Sequence, residues 1–238
     1  MARYRRARTT PYDSRMGYAR DERLALCGTL TEVDPDAPTL CAGWTARDLA
    51  AHLVLRERRM DAAAGIPGGP LARHTARVQR RLAEGTPYPE LIDTIRTGPP
   101  KLSPYGIPGM DERVNTVEFF VHHEDVRRGQ PNWTPRELLP GLSDELWGRL
   151  RLARFLLRKV RVGVEFARAD EPAGDGDGTG GGAPSYRMPI HRGTPVVTVI
   201  GTPAELTLFT AGRRGAAQIR MDGTEAAIQM VSQATWRL

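Results

Sequence analysis

The sequence predicts an α+β protein, helical over its first 160 residues and mixed over the remainder. Three observations carry this. Apolar residues recur at helical spacing in successive windows up to Leu157. The pattern then changes to strand-like alternation in VRVGVEFAR (160–168) and to an apolar run in PVVTVIG (195–201). Clusters of Gly and Pro cut the chain between these windows, so the helices are several and separate.

Taken in order, MARYRRARTT and the residues up to 14 read as a basic, disordered arm without the apolar stretch of a signal peptide. Residues 15–33 place Leu24, Cys27, Leu30 and Val33 at helical spacing. DPDAPTLCAGW is a loop with two prolines and a glycine. Thr45-Ala46-Arg47-Asp48 then resembles a capping box, and Leu49, His52, Leu53 and Arg56 share one face of a second helix running to about Asp61. GIPGGP (65–70) breaks the chain ahead of a basic, exposed helix over 71–84 and a short one from Glu90 to Arg96. Residues 97–109, with four prolines and three glycines, form a long loop. It runs into Asp111–Arg128, the best-patterned helix of the chain, stopped by Gly129 and Pro131. Another amphipathic helix covers 143–159. In the last part, 160–168 and 195–201 are strands, 203–212 is a helix closed by glycine, 215–223 is a strand and TEAAIQMVSQA is a final helix. Residues 171–184, Gly- and Asp-rich, form a flexible loop with too little apolar surface to order. The organisation expected is an arm (1–14), a helical domain (15–160) and an α+β domain (161–238).

Composition narrows the function classes. An apolar share of 40% and a charged share of 26% are ordinary for a globular chain. No window approaches the ~18 uninterrupted apolar residues of a membrane span. Two cysteines, Cys27 and Cys41, are too few for a stapled secreted scaffold and read as small buried thiols of a cytoplasmic protein, a reactive thiol or one zinc ligand being the other reading, with Cys41, eleven residues before His52, the candidate fourth ligand. The net charge of +6 is carried almost wholly by arginine, with Lys101 and Lys159 the only lysines. It is spread along the chain and fits no nucleic-acid-binding motif, so no specific nucleic acid is expected as a partner.

One constellation carries chemistry. Glu118 and His122 stand four apart on one helix, so both project from the same face and can reach one ion. His123 is rotated away by ~100°, whereas Asp125 stays on that face. Val114 and Val121 share it, so the polar pair points inward, where an imidazole and a carboxylate need a partner. Besides these, His52 is the histidine centred on an amphipathic face, and two histidines with one carboxylate suit Zn, Fe, Ni or Mn. The same spacing also describes an i,i+4 surface pair, and His52 alone also describes a core histidine bonded to a backbone carbonyl.

The stretch APTLCAGWTARDLAAHLVLRERR (37–59), followed by NTVEFFVHHEDVRRGQP (115–131), resembles the DinB-like superfamily. Within it, the likeness is to actinobacterial metal-binding relatives of mycothiol-dependent maleylpyruvate isomerase. VIGTPAELTLFTAGRRGAAQIRMDG (199–223) is similar to the C-terminal half of that group, a small sterol-carrier-like α+β domain. The resemblance implies a four-helix bundle followed by that domain, with His52, Glu118 and His122 as ligands of a divalent metal, zinc foremost. It also implies mycothiol as a thiol cofactor, an electrophilic small-molecule substrate, and transferase or isomerase activity. The isomerase uses an arginine of its C-terminal half; Arg213 and Arg214 are the candidates here, and a merely basic turn is the other reading of them. A non-catalytic metal- or ligand-binding stress-response protein is the alternative.

Overall fold

The computed structural model describes residues 17–66, 68–100, 110–157, 160–169 and 186–234. The expected arm and the Gly- and Asp-rich loop 171–184 lie outside the described residues, as does most of the proline-rich loop 97–109.

The helical part contains α1 (Tyr18–Glu32), α2 (Ala46–Arg58), a one-turn α3 (Met60–Ala63), α4 (Ala72–Gly85), α5 (Tyr88–Thr97) and α6 (Met110–Arg128). α1 packs against α5 and α6, while α2 packs against α4 and α5. Leu26, Leu30, Leu49, Leu53, Leu91, Ile95 and Phe119 meet in the resulting core. The start of α2 is the capping box read from the sequence: Thr45 Oγ1 accepts from the Asp48 amide, and the Asp48 carboxylate accepts from the Thr45 amide. α2 ends at Arg58, a little before the expected Asp61, because the chain leaves helical geometry at Arg59 (φ −122°, ψ 69°) and restarts as α3. α4 is less exposed than its basic composition suggested. Thr75, Val78, Gln79 and Ala83 form an inward stripe on it.

The second half begins earlier than its strands. α7 (Pro140–Arg149) continues as a 3-10 turn over Leu150–Phe155, in place of one helix over 143–159. Residues three apart align in a 3-10 turn, so Leu150 and Ala153 both face the sheet. That sheet has the order β2-β1-β3-β4, with β1 (Gly163–Arg168) parallel to β3 (Val196–Gly201) and the outer pairs antiparallel. β2 (Arg187–His191) was not anticipated. Its Pro189 weakens a strand pattern, but β2 is an edge strand, where a missing N–H is tolerated. β4 shrinks to Arg220–Asp222 because residues 213–217 are spent on a turn in which the Ala216 and Ala217 amides return to the Arg213 carbonyl. α8 (Pro203–Thr210) is buried along its whole length, and α9 (Glu225–Gln233) closes the chain against β3.

Two contacts lock the halves together. Phe120 and Val121 of α6 pack with Leu142, Leu146, Ala204 and Leu208 of α7 and α8. Beside them Arg128, the last residue of α6, grips Glu205 of α8 with both terminal nitrogens, at 2.6 and 3.0 Å. Thr-Pro-Ala-Glu at the start of α8 has the spacing of a capping box, yet only half is made. Thr202 Oγ1 caps the Glu205 amide, while the Glu205 carboxylate turns to Arg128 and the Gln218 amide. Both side chains of the pair are almost fully buried, at 1% and 4% exposure.

Removing Glu205 would take one of two carboxylates from the buried Arg128, Glu124 remaining at 2.6 Å, and would strip the Gln218 amide of its acceptor, typically at a cost of ~1–3 kcal/mol. Glu205→Ala should therefore lower the guanidinium midpoint by that equivalent without changing the far-ultraviolet spectrum at low denaturant. A loss under about 1 kcal/mol, the scale of an exposed pair, would show that the tie does not hold the halves.

Candidate metal centre

α6 is the axis on which the site is built. From Asn115 onward it is covered on most sides, so most of its polar residues there are buried and have to find partners. His123 turns to α1, with Nδ1 3.2 Å from Glu22 Oε2 and Nε2 2.8 Å from Thr29 Oγ1. Glu124 takes Arg128 and Arg136. The remaining face, carrying Glu118, His122 and Asp125, looks toward α2 and the 37–45 loop.

There the three sequence-predicted ligands converge. The ligand atoms of His52, Glu118 and His122 all lie within 4.8 Å of one another. His122 Nε2 is 3.3 Å and His52 Nε2 3.7 Å from Glu118 Oε1. Four ligands at ~2.0–2.1 Å around a tetrahedral ion are separated by about 3.4 Å, so these spacings fit a small divalent ion with minor adjustment. His122 Nδ1 is meanwhile 2.9 Å from Asp125 Oδ2. A carboxylate on the far nitrogen of a histidine fixes its tautomer and ring plane, the usual support for a metal-bound imidazole. The donor set thus fits a metal. One feature opposes it: Arg56 Nε lies 3.1 Å from Glu118 Oε1, so a dication would share that carboxylate with a guanidinium. The carboxylate has about four lone-pair sites, enough for both. Arg56 is held by Asn115, at 2.5 Å.

The site forms one wall of a cavity of about 640 Å³, which Cys41, Trp44, His52, Glu118, His122 and Arg213 help to line. The Trp44 ring stands 4.9 Å from that of His52. The loop bearing Cys41 and Trp44 is pinned to α6 by the Leu40 amide on the Asp125 carbonyl and by Gln130 Nε2 on the Pro38 carbonyl. Gly129 makes this approach feasible, since a Cβ there would sit 2.3 Å from the Pro38 carbonyl oxygen.

The two candidate arginines part company. α8 ends in a Schellman motif: Gly212 takes φ +84°, its amide bonds the Phe209 carbonyl and the Arg213 amide the Leu208 carbonyl. This aims Arg213 into the cavity, where Nε and Nη2 clasp the two oxygens of Asp125 at 2.8 and 2.6 Å. Arg214 points the other way, onto the Ser232 and Ala234 carbonyls and over the Phe209 ring, and does not line the cavity. Cys27 is a core thiol beside the Ile92 carbonyl, and burial pushes its pKa up to about 11. Cys41 takes the second of the two places expected for it, beside the candidate ligands and not in the core. It is half-buried at the cavity wall, with Sγ 3.2 Å from Asp125 Oδ2 and 3.5 Å from Arg213 Nη2, and forms a second candidate ligand group with His122 and Asp125. Asp125, Arg56 and Trp44 are the site residues whose parts sequence reasoning left unassigned. Spacing held the signal for two of them, Asp125 three residues beyond His122 and Arg56 four beyond His52; none existed for Trp44.

The electrostatics follow from this packing. Burial pushes the His52 imidazole below its ordinary value, and Glu118 restores only part of the loss. Burial would also depress His122, but bonds to Asp125, Cys41 and Glu118 overcome it and hold His122 well above the ordinary range. Burial raises the carboxyls, yet contacts from His122 and His52 keep Glu118 well below the usual range, and those from His122 and Arg213 bring Asp125 to about 2.

What emerges is an α+β protein with two imidazoles and a carboxylate converging on a cavity wall. The comparisons with known proteins agree with that class. Residues 17–103 match the family described as the mycothiol maleylpyruvate isomerase N-terminal domain. The fold is similar to a crystal structure of the mycothiol-dependent maleylpyruvate isomerase, with TM-score 0.51 and 16% identity over 90% of this chain and 93% of that one. It is equally similar to a histidine-to-alanine mutant of the isomerase, with TM-score 0.54, 17% identity and the same coverage. No curated protein matches the sequence significantly. The family match thus covers the N-terminal part of the chain, and the fold is shared over most of its length.

The shifts set a pH profile for the metal-free protein. Asp125, lowered to about 2, contributes stability above its ordinary 3.8 that is lost as pH falls toward 2. His122, raised, contributes stability that is full below its ordinary 6.5 and is lost as pH rises through its folded value. Imidazole NMR should show His122 still protonated well above pH 6.5 and His52 already neutral below it. Asp125→Asn should move the His122 titration down. The reverse order of the two histidines would refute this account of their contacts.

Proposed function

We propose that the chain binds one divalent metal ion through His52, Glu118 and His122, zinc being the first choice for this donor set, and uses it with a low-molecular-weight thiol in isomerase or transferase chemistry. The observation that carries the reading is the convergence of those three groups on a cavity wall, with Asp125 behind His122. The likeness to mycothiol-dependent maleylpyruvate isomerase supports mycothiol as the thiol. A bound divalent ion would lower the pKa of a thiol and make thiolate available near neutral pH.

The chain's own residues supply the rest. His52, already neutral, and Glu118, already ionised, are ready as ligands, while His122 has one proton to give up on loading. Asp125 keeps the His122 ring turned so that Nε2 faces Glu118. Trp44 covers His52 and offers an aromatic face at the cavity wall. Arg213 is the one of the two candidate arginines placed to meet a ligand there; Arg214 is assigned to structure. Thiolate attack on an electron-poor carbon followed by loss of the same thiolate is isomerisation, and attack with departure of another group is transfer. The likeness to the isomerase favours the first. A cytoplasmic setting, where such thiols are reduced, fits this chemistry; among the described residues no helix is long and apolar enough to cross a membrane.

Cys41 supports a second reading. Were it drawn onto an ion held by His122, the open ligand position would close and the metal would be structural. Two measurements decide. The purified protein should carry about one divalent ion per chain, lost in His122→Ala and retained in His123→Ala; equal loss in both, or full retention in His122→Ala, would remove the ligand assignment. The cobalt-substituted protein should develop a thiolate-to-metal charge-transfer band only after mycothiol is added. A band present beforehand and abolished by Cys41→Ala would establish the closed site in its place.

A further inference from the structure

Glu118 lines two cavities, and the second is unlike the first. The second is a cleft of about 370 Å³ walled by Val117, Leu146, Leu150, Leu152 and Ala153, between α6 and the α7 segment. That volume is near the lower end of small-molecule sites, about 300–1,000 Å³. Val117 and Glu118 line both cavities, so the cleft adjoins the carboxylate of the proposed ion.

The polar groups around the cleft are already occupied. Thr207 and Thr210, on its α8 side, donate their hydroxyls to the Pro203 and Thr207 carbonyls of their own helix. The two cations at its edge are each held by a carboxylate: Arg56 Nε lies 3.1 Å from Glu118, and Arg149 Nε is bonded to Glu145 at 2.8 Å. An acidic ligand would find both cations already sharing their charge with a carboxylate, whereas a hydrocarbon gains from covering the leucine walls. Leu152, at 53% exposure, extends the apolar surface out to the rim. The first cavity, by contrast, presents a thiol, an arginine and two imidazoles.

We infer that this cleft is the acceptor subsite, and that it seats the uncharged hydrocarbon body of the electrophile while the thiol occupies the cavity lined by Trp44 and Arg213. The role as acceptor subsite rests on the thiol-dependent reading above. Two ligands in adjoining cavities that share Glu118 would lie close to one another and to the proposed ion, an arrangement suited to a reaction between them.

The test uses the full chain and the neutral apolar fluorophore N-phenyl-1-naphthylamine. The metal-free protein should bind it at one site per chain. Straight-chain alcohols from butanol to octanol should displace it with affinity rising about fourfold per methylene, the increment for burying one CH₂, and maleate should not. Leu152→Glu, at an exposed position, should weaken binding at least tenfold; Ala153→Leu, which narrows the cleft, should do the same where its melting curve stays cooperative. Arg213→Ala, in the other cavity, should leave binding unchanged. In the cobalt-loaded protein, saturating octanol should leave the mycothiol charge-transfer band intact. Absent fluorophore binding, or binding indifferent to Leu152→Glu, would overturn the cleft alone and leave the thiol reading untouched. Loss of the band on adding octanol would show that cleft and thiol seat are one and overturn the separation. A band that never forms beside intact fluorophore binding would overturn the thiol reading, and with it the cleft's role as acceptor subsite.

Discussion

A single buried carboxylate holds the site together. Asp125 Oδ2 lies 2.9 Å from His122 Nδ1, 2.6 Å from Arg213 Nη2 and 3.2 Å from Cys41 Sγ, and the residue has no exposed surface. Its own carbonyl takes the Leu40 amide. The helical bundle, the loop before α2 and the end of α8 thus meet on one residue from three distant stretches of sequence. A buried carboxylate is costly without partners, and here a guanidinium, an imidazole and a thiol surround it, so the three elements are tied to each other by one charge-assisted network. Whatever His122 binds through its other nitrogen inherits that rigidity.

The same constraint explains why α6 is built as it is. A helix covered on nearly all sides is ordinarily apolar throughout, yet α6 carries Asn115, Thr116, His122, His123, Glu124, Asp125 and Arg128 in buried positions. Each reaches a different neighbour: α1 receives His123, α8 receives Arg128, and α2 sends Arg56 to Asn115. Among the described residues no buried side-chain nitrogen or oxygen lacks a partner. The specificity of the helix packing comes from this pairing as much as from Phe119 and Phe120, because a rotation of α6 by one residue would orphan several charges at once.

Much of this was legible in the sequence, and the limits are physical. The α+β class, the capped start of α2, the extent of α6 and the same-face relation of Glu118 and His122 all follow from periodicities that survive folding. Convergence of His52 on that face does not, since periodicity says which way a side chain points but not which helix it meets; there the family resemblance supplied the pairing. β2 was hidden because Pro189 masks its alternation, and the short β4 because the turn after α8 consumes its first residues. Arg213 and Arg214 are adjacent and chemically identical on paper. Only the left-handed Gly212 and the Schellman closure of α8 decide that one enters the cavity and the other does not.

That decision also limits what Arg213 can do. In a site reading built on residue type alone, an arginine facing a metal cavity is an anchor for an acidic ligand. Here both oxygens of Asp125 are already clasped, and a third nitrogen, Nη1, donates to the Ala211 carbonyl at 2.6 Å. A ligand carboxylate would approach a guanidinium whose charge is largely answered, while Asp125 stays ionised because Arg213 and His122 are both present. Drawing Arg213 away would leave Asp125 to His122 and Cys41 and loosen the orientation of the imidazole on which the metal reading depends. The arginine is therefore better placed to hold the cavity wall and the His122 support than to carry a strongly anionic substrate by itself. The same logic applies in the cleft, where Arg56 and Arg149 are likewise answered by carboxylates. The cleft beside Glu118 thus offers apolar surface with its charges internally balanced, whereas the cavity lined by Cys41, His52, His122 and Arg213 keeps polar groups along its wall.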